Sequence, residues 1–116
     1  MNFLPIGKLP PEIADELTKQ APILDPQIII GPGPGNDCAV IDNGDNYLVL
    51  KTDPVTFITN DIGKYAVHIN VNDIVTTGAV PKWMLATILL PEEKTDLNLI
   101  KMISSQIFDT CKYMEI

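Results

Sequence analysis

Positive charge is scarce in this chain. Eight basic residues stand against fifteen acidic ones, a formal net charge of -7 over 116 residues. With no basic stripe to release counterions from a phosphate backbone, nucleic acid is not an expected partner. Histidine is scarcer still, with His68 as the single one. No Ser, His, Asp triad can be assembled around it, and a helix-surface or interface histidine is the plain reading. The two cysteines, Cys38 and Cys111, lie far apart without CxxC spacing or histidine companions, so they read as reduced thiols rather than a disulfide framework or a zinc site. The amino terminus has no apolar signal core, and the longest apolar run, around 84–90, is too short to cross a bilayer. A soluble, cytoplasmic protein with no membrane partner is the expectation.

Hydrophobic residues make up 46% of the chain, enough for one folded domain spanning 1–116. From Pro10, the stretch PPEIADELTKQ predicts a helix with prolines in its first turn, Glu12 at the positive end of its dipole and Lys19 at the negative end. Ile13 and Leu17 give it one shallow apolar side. Pro22 and Pro26 end it and lead into a short β-branched strand at 27–30. GPGPGND, 31–37, must then be a loop, stiffened at Pro32 and Pro34 and free to adopt positive φ at its glycines. It has neither the GxxxxGK[ST] spacing of a phosphate loop nor the GxGxxG order of a dinucleotide site, so a plain structural turn competes with a ligand-binding role.

Strands at 38–41 and 47–52 flank the turn residues 42–46, which predicts a hairpin over 37–52 with Tyr47, Val49 and Lys51 on one face. Thr59, Asn60 or Asp61 caps a central helix that begins at Asp61 and ends at Gly78, with Pro81 just beyond. KWMLATILL, 82–90, is apolar on both alternating faces and predicts an interior strand. The spacing of Leu97, Ile100, Ile103, Ile107, Phe108 and Cys111 predicts a long amphipathic helix capped by Thr95 or Asp96. This order gives an α+β fold, a sheet with helices on one face. The last helix shows no glycine or other stop signal before Ile116, so the chain is expected to be a fragment of a longer protein.

Three carboxylates stand out. In the central helix Ile62, Tyr65, Ala66 and Ile69 form an apolar stripe, with Asp73 in its middle and Thr76 beside it. A buried carboxylate needs a metal, a cation, backbone donors or a wet cleft. Asp37 follows the glycine loop at a strand start, and Asp53 lies at a strand end beside Pro54, a placement shared by ligand sites and by Asx turns. Converging carboxylates with few bases nearby form the oxygen-rich shell that Mg²⁺ prefers when water and nucleotide phosphates complete it.

In order along the chain, GPGPGNDCAVID, LVLKTDPVTF and DIGKYAVHINVNDIVTTGAVPKWMLATILLPE resemble the amino-terminal domain of the aminoimidazole ribonucleotide synthetase (PurM-like) superfamily. The group includes thiamine-monophosphate kinase and selenophosphate synthetase. The nearest resemblance is to the synthetase-related and HypE-like hydrogenase maturation branch, and it covers most of the chain from Gly7 onward. It implies a mixed β-sheet covered by helices on one face, with two sheets pairing into a barrel in a homodimer. It also implies Mg²⁺ and ATP as cofactors, with metal held by Asp37, Asp53 and Asp73 and the nucleotide met by Lys51, Thr52 and Asn72. Lys51 occupies a position that varies among relatives. Asn36 stands where the usual motif has a second acid.

The activity implied is ATP-dependent phosphoryl transfer that activates an amide-like or other oxygen of a small-molecule substrate, with a hydrogenase maturation factor as a further partner. The family's carboxy-terminal domain completes the active site, so this piece alone is expected to turn over ATP poorly or not at all. The competing expectation is a non-catalytic dimerisation or interaction module whose aspartates only cap loops.

Overall fold

The computed structural model describes residues 3–56 and 60–116. The chain divides into two units, Met1–Leu50 and Lys51–Ile116.

The first unit contains helix α1 (Pro11–Lys19) and strands β1 (Ile28–Ile30), β2 (Ala39–Asp42) and β3 (Tyr47–Leu50). Pro10 is the residue before α1, and its carbonyl accepts from the amides of Ile13 and Ala14. Pro11, at the first helical position, has no amide to leave unsatisfied. No residue of α1 is buried. The strands form one sheet in the order β1-β2-β3, and both pairings are antiparallel. A mixed sheet was the expectation, and it is corrected for the described residues: the connections 31–38 and 43–46 are both shorter than a parallel crossover needs. Ala39 pairs with Leu50 and Asp42 with Tyr47, while the β1-β2 register shifts between Ile28 and Ile30.

The hairpin turn is built from its polar residues. The Gly44 amide donates to the Asp42 carboxylate at 2.9 Å, and the Asn43 amide to the Asn46 carbonyl at 2.9 Å. Gly44 takes a φ of +85°, which a side chain would resist. β3 ends at Leu50, so Lys51 and Thr52 lie beyond the strand in which they were expected.

The second unit is built on helices α2 (Ile62–Thr76) and α3 (Leu97–Met114). Its core is Val67, Ile103 and Ile107, with Ile62, Val71, Met84, Leu99, Cys111 and Met114 packed around them. The face of α2 that is buried therefore runs through Gly63 and Val67, a correction to the expected stripe, since Tyr65 is 46% exposed. The reason is Gly63. A Cβ there would lie 2.6 Å from the Ile103 carbonyl oxygen and 2.8 Å from the Gln106 Cβ, so its absence lets the two helices approach closely. Apolar periodicity gives no weight to a glycine, and so misplaces the face.

The helix ends follow from capping. Asp61 occupies the cap position of α2 in the left-handed region, φ 58°, and its side chain makes no cap hydrogen bond. Gln106 of α3 does this work instead, its Oε1 accepting from the Gly63 amide at 3.0 Å. Thr59, another expected cap, lies outside the described residues. Gly78 follows α2 at φ +84° and its amide donates to the Val75 carbonyl, as a carboxy-terminal glycine should. Asp96 caps α3 by accepting from the Leu99 amide at 2.7 Å. After α3, Glu115 adopts φ 60°, and the Ile116 amide donates back to the Cys111 carbonyl at 2.9 Å.

Residues 82–90 form no strand, which corrects the expected interior strand. Trp83 is 77% and Leu85 96% exposed. Apolar residues can favour burial, but a strand also needs a neighbouring backbone to pair with. No strand is assigned among the described residues of this unit. Cys38 is buried and Cys111 half-buried, and neither is joined in a disulfide.

Candidate functional site

Within the second unit, one ammonium group sits between two of the expected carboxylates. The Lys51 Nζ lies 2.8 Å from Asp73 Oδ2 and 3.2 Å from Asp53 Oδ2. The Lys51 side chain is only 8% exposed, against 27% for Asp73 and 41% for Asp53. Losing water would lower the Lys51 pKa, but hydrogen bonds to Asp73 and Asp53, reinforced by both negative charges, outweigh that loss and hold it above the ordinary lysine value. Asp73 also lies in the last turn of α2, where the helix dipole disfavours an anion, so the ammonium offsets the dipole as well as the paired acids.

Asn70 builds this arrangement. Its Oδ1 accepts from the Asp53 amide at 2.8 Å, and its Nδ2 donates to the Asp53 carbonyl at 3.3 Å and to the Ala66 carbonyl at 2.8 Å. The carboxamide thus grips the Asp53 backbone as a neighbouring strand would, and fixes this loop residue against α2. Asp73 follows Asn70 by three residues, one helical turn, and so shares its side of the helix. With the backbone held by Asn70, the Asp53 carboxylate can face Lys51. Sequence reading did not assign Asn70 a role. A signal was available, since asparagine is a poor helix former and one inside a helix often has a tertiary partner.

The other expected site residues fall elsewhere. Thr52 is exposed between Lys51 and Asp53, and Asn72 is exposed on α2. Asp37 belongs to the first unit, where it is exposed just before β2. Asn36 staples the glycine loop: its amide donates to the Gly33 carbonyl and its Nδ2 to the Gly31 carbonyl, each at 3.1 Å. Gly35 supplies the positive φ, +78°, that lets this turn close.

The Asp53 and Asp73 pair suits a hard cation. Two carboxylate oxygens from separate segments already converge on one positive charge, and Asp53 remains open to water. Among the described residues no group of three or more His, Cys, Asp or Glu side chains could hold a metal. Two carboxylates are nevertheless enough for Mg²⁺, which commonly takes one or two from the protein and completes its shell with water and phosphate oxygens. Separately, a recess of about 450 Å³ is lined by Lys64, His68, Asp109, Thr110 and Tyr113. His68 is half-buried there on α2, in keeping with a structural histidine at a helix contact.

Among the described residues no helix is long and apolar enough to cross a membrane. Residues 35–116 match the family described as AIR synthase related protein, N-terminal domain. Among curated proteins, thiamine-monophosphate kinase of Haemophilus influenzae is 32% identical over 87 residues, which cover 67% of this chain and 26% of that protein. Carbamoyl dehydratase HypE of Rhodobacter capsulatus is 44% identical over 59 residues, 51% of this chain and 16% of that protein. A provisionally assigned hydrogenase expression/formation protein of Methanocaldococcus jannaschii is 33% identical over 116 residues, 95% of this chain and 34% of that protein. The chain therefore spans about a third or less of the length of these relatives. No solved structure matches.

Proposed function

Because the chain belongs to the AIR synthase related protein family, through its amino-terminal domain, we propose that it is the Mg²⁺·ATP-binding and dimerisation part of an ATP-dependent enzyme. The observation that carries this reading is the convergence of Asp53 and Asp73 on a single cation. In it, Asp53 and Asp73 hold the metal, and Thr52 and Asn72 line the nucleotide. Bound Mg²⁺ would neutralise the triphosphate and orient its terminal group for transfer. The protein's own residues set the position: Asn70 fixes the Asp53 backbone, α2 presents Asp73, and Lys51 balances their charge. The relatives include a kinase and a dehydratase, which supports phosphoryl transfer to an oxygen of a small molecule as the reaction.

The exposed apolar run at 82–90 supports the dimerisation half of the reading. Trp83, Leu85 and Leu89 are each more than three-quarters exposed, and an unpaired apolar segment of this kind suits strand pairing with a second copy. A loop-capping role explains Asp53 less well, since its carboxylate faces Lys51 and Asn70 holds the loop.

Asp73→Asn tests the proposal. Calorimetry on the full-length protein should show Mg²⁺·ATP binding weakened by about tenfold or more, with a modest fall in the thermal midpoint from the weakened Lys51 ion pair. Nucleotide binding that survives this substitution at full strength would remove Asp73 from the metal site.

A further inference from the structure

We propose that Lys51 is a resident counter-cation that makes divalent-metal binding at Asp53 and Asp73 depend on a phosphate-bearing ligand. The inference rests on the reading of these two aspartates as the metal site. The Lys51 ammonium occupies the position between the carboxylates, at 2.8 and 3.2 Å, and its side chain is nearly excluded from water. Two convergent carboxylates without a cation would repel one another. The ammonium keeps them together in the metal-free protein.

A magnesium ion needs the same oxygens at about 2.0–2.1 Å. It cannot share them with an ammonium in hydrogen-bond contact, because the two cations would repel at short range. Metal entry therefore requires Lys51 to leave. A metal ion arriving alone replaces one positive charge with two but strands the ammonium among partly buried groups, which opposes the exchange. When the ion arrives with a triphosphate, the displaced ammonium gains a new anionic partner next to the metal. The lysine stem is long and flexible, with a compact charge at its tip, so it can swing from carboxylate to phosphate without moving the backbone. Metal and nucleotide then bind cooperatively, each raising the affinity of the other by the same factor.

The test compares the full-length wild type with Lys51→Met and Lys51→Arg, using Mn²⁺ alone and Mn²⁺ with ATP. Free Mn²⁺ is read by electron paramagnetic resonance, and circular-dichroism melting in EDTA verifies that each variant is folded. Lys51→Met should bind Mn²⁺ alone at least about tenfold more tightly than the wild type, and ATP should then add less to that affinity. Lys51→Arg keeps the charge and should remain within about threefold of the wild type for Mn²⁺ alone. Lys51→Gln, which keeps a hydrogen-bond donor without the charge, substitutes if the methionine variant does not fold, and should shift in the same direction.

Unchanged or weaker Mn²⁺ binding in the neutral variants, with Mn²⁺·ATP binding intact in the wild type, would overturn the counter-cation role and leave the metal-site reading standing. Failure of the wild type and all variants to bind Mn²⁺ with or without ATP would overturn both.

Discussion

Val67 in the helical unit has no exposed surface, and Ile103 and Ile107 close over it. In the sheet unit, the apolar strand residues Ile29, Ile30, Tyr47 and Leu50 are all exposed by a third or more, and Cys38 is the one buried apolar residue among those described. The two units are therefore ordered by different forces. In the sheet unit, backbone ladders and polar turn residues set the geometry, with little side-chain core behind them. In the helical unit, two helices close a small core because Gly63 lets them approach, and the side chains on the rim of that pair are then held well enough to build a site. Asn70, three residues beyond Val67 on α2, grips Asp53. Precise placement of charge depends on packed neighbours, which the helical unit has in greater supply.

The largest expected effect comes from breaking the helix approach itself. Gly63→Val places methyl groups where even a Cβ would contact the Ile103 carbonyl and Gln106, and should lower stability by about 2–4 kcal/mol, measured by urea denaturation. A loss under about 0.5 kcal/mol would mean the helices do not pack at this glycine. The contrast between units can then be measured with matched truncations. Val67→Ala should cost roughly 2 kcal/mol, whereas Ile29→Ala, on the exposed sheet, should stay within about 0.5 kcal/mol. Equal losses would erase the difference between the two units.

A smaller effect is expected from the cap supplied across the helix pair. Gln106→Ala leaves the Gly63 amide unpaired and should cost about 1 kcal/mol, while Gln106→Glu, which keeps an acceptor at a helix amino terminus, should recover part of it. Thermal midpoints of the two variants give the comparison directly. The smallest effect concerns pH. The folded protein holds the Lys51 pKa above its ordinary value of 10.5, so this group's contribution to stability is fully present below about pH 10.5 and is lost as pH rises through the higher folded value. A denaturation series between pH 9 and 12 should therefore show a stability loss in the wild type that is smaller in Lys51→Met.

Much of this architecture is legible from local chemistry. Pro10 and Pro11 mark the start of α1, Asp96 marks the start of α3, Gly78 marks the end of α2, and the Asp42–Asn46 cluster marks the hairpin turn, because each acts through hydrogen bonds or φ preferences of its immediate neighbours. The failures are equally specific. Residues 82–90 have strand-like composition, but no strand is found among the described residues of their unit to pair with. The packed face of α2 turns on a glycine that carries no hydropathy signal. The cap of α2 comes from Gln106, forty-three residues further along, and no local rule reaches that far.

The site divides along the same line. The sequence by itself determined that Asp73, on a helix with apolar neighbours, needed a partner, and that Asp53 ended an extended segment beside a proline. It also set the choice of cation, since all eight basic residues are lysines and the chain can present only a compact ammonium, never a planar guanidinium fork. Only the tertiary structure decided that this partner is Lys51 and that Asn70 holds the loop in reach. These are contacts between residues seventeen or more positions apart, and they exist only once chain folding has repaid the entropy of bringing them together.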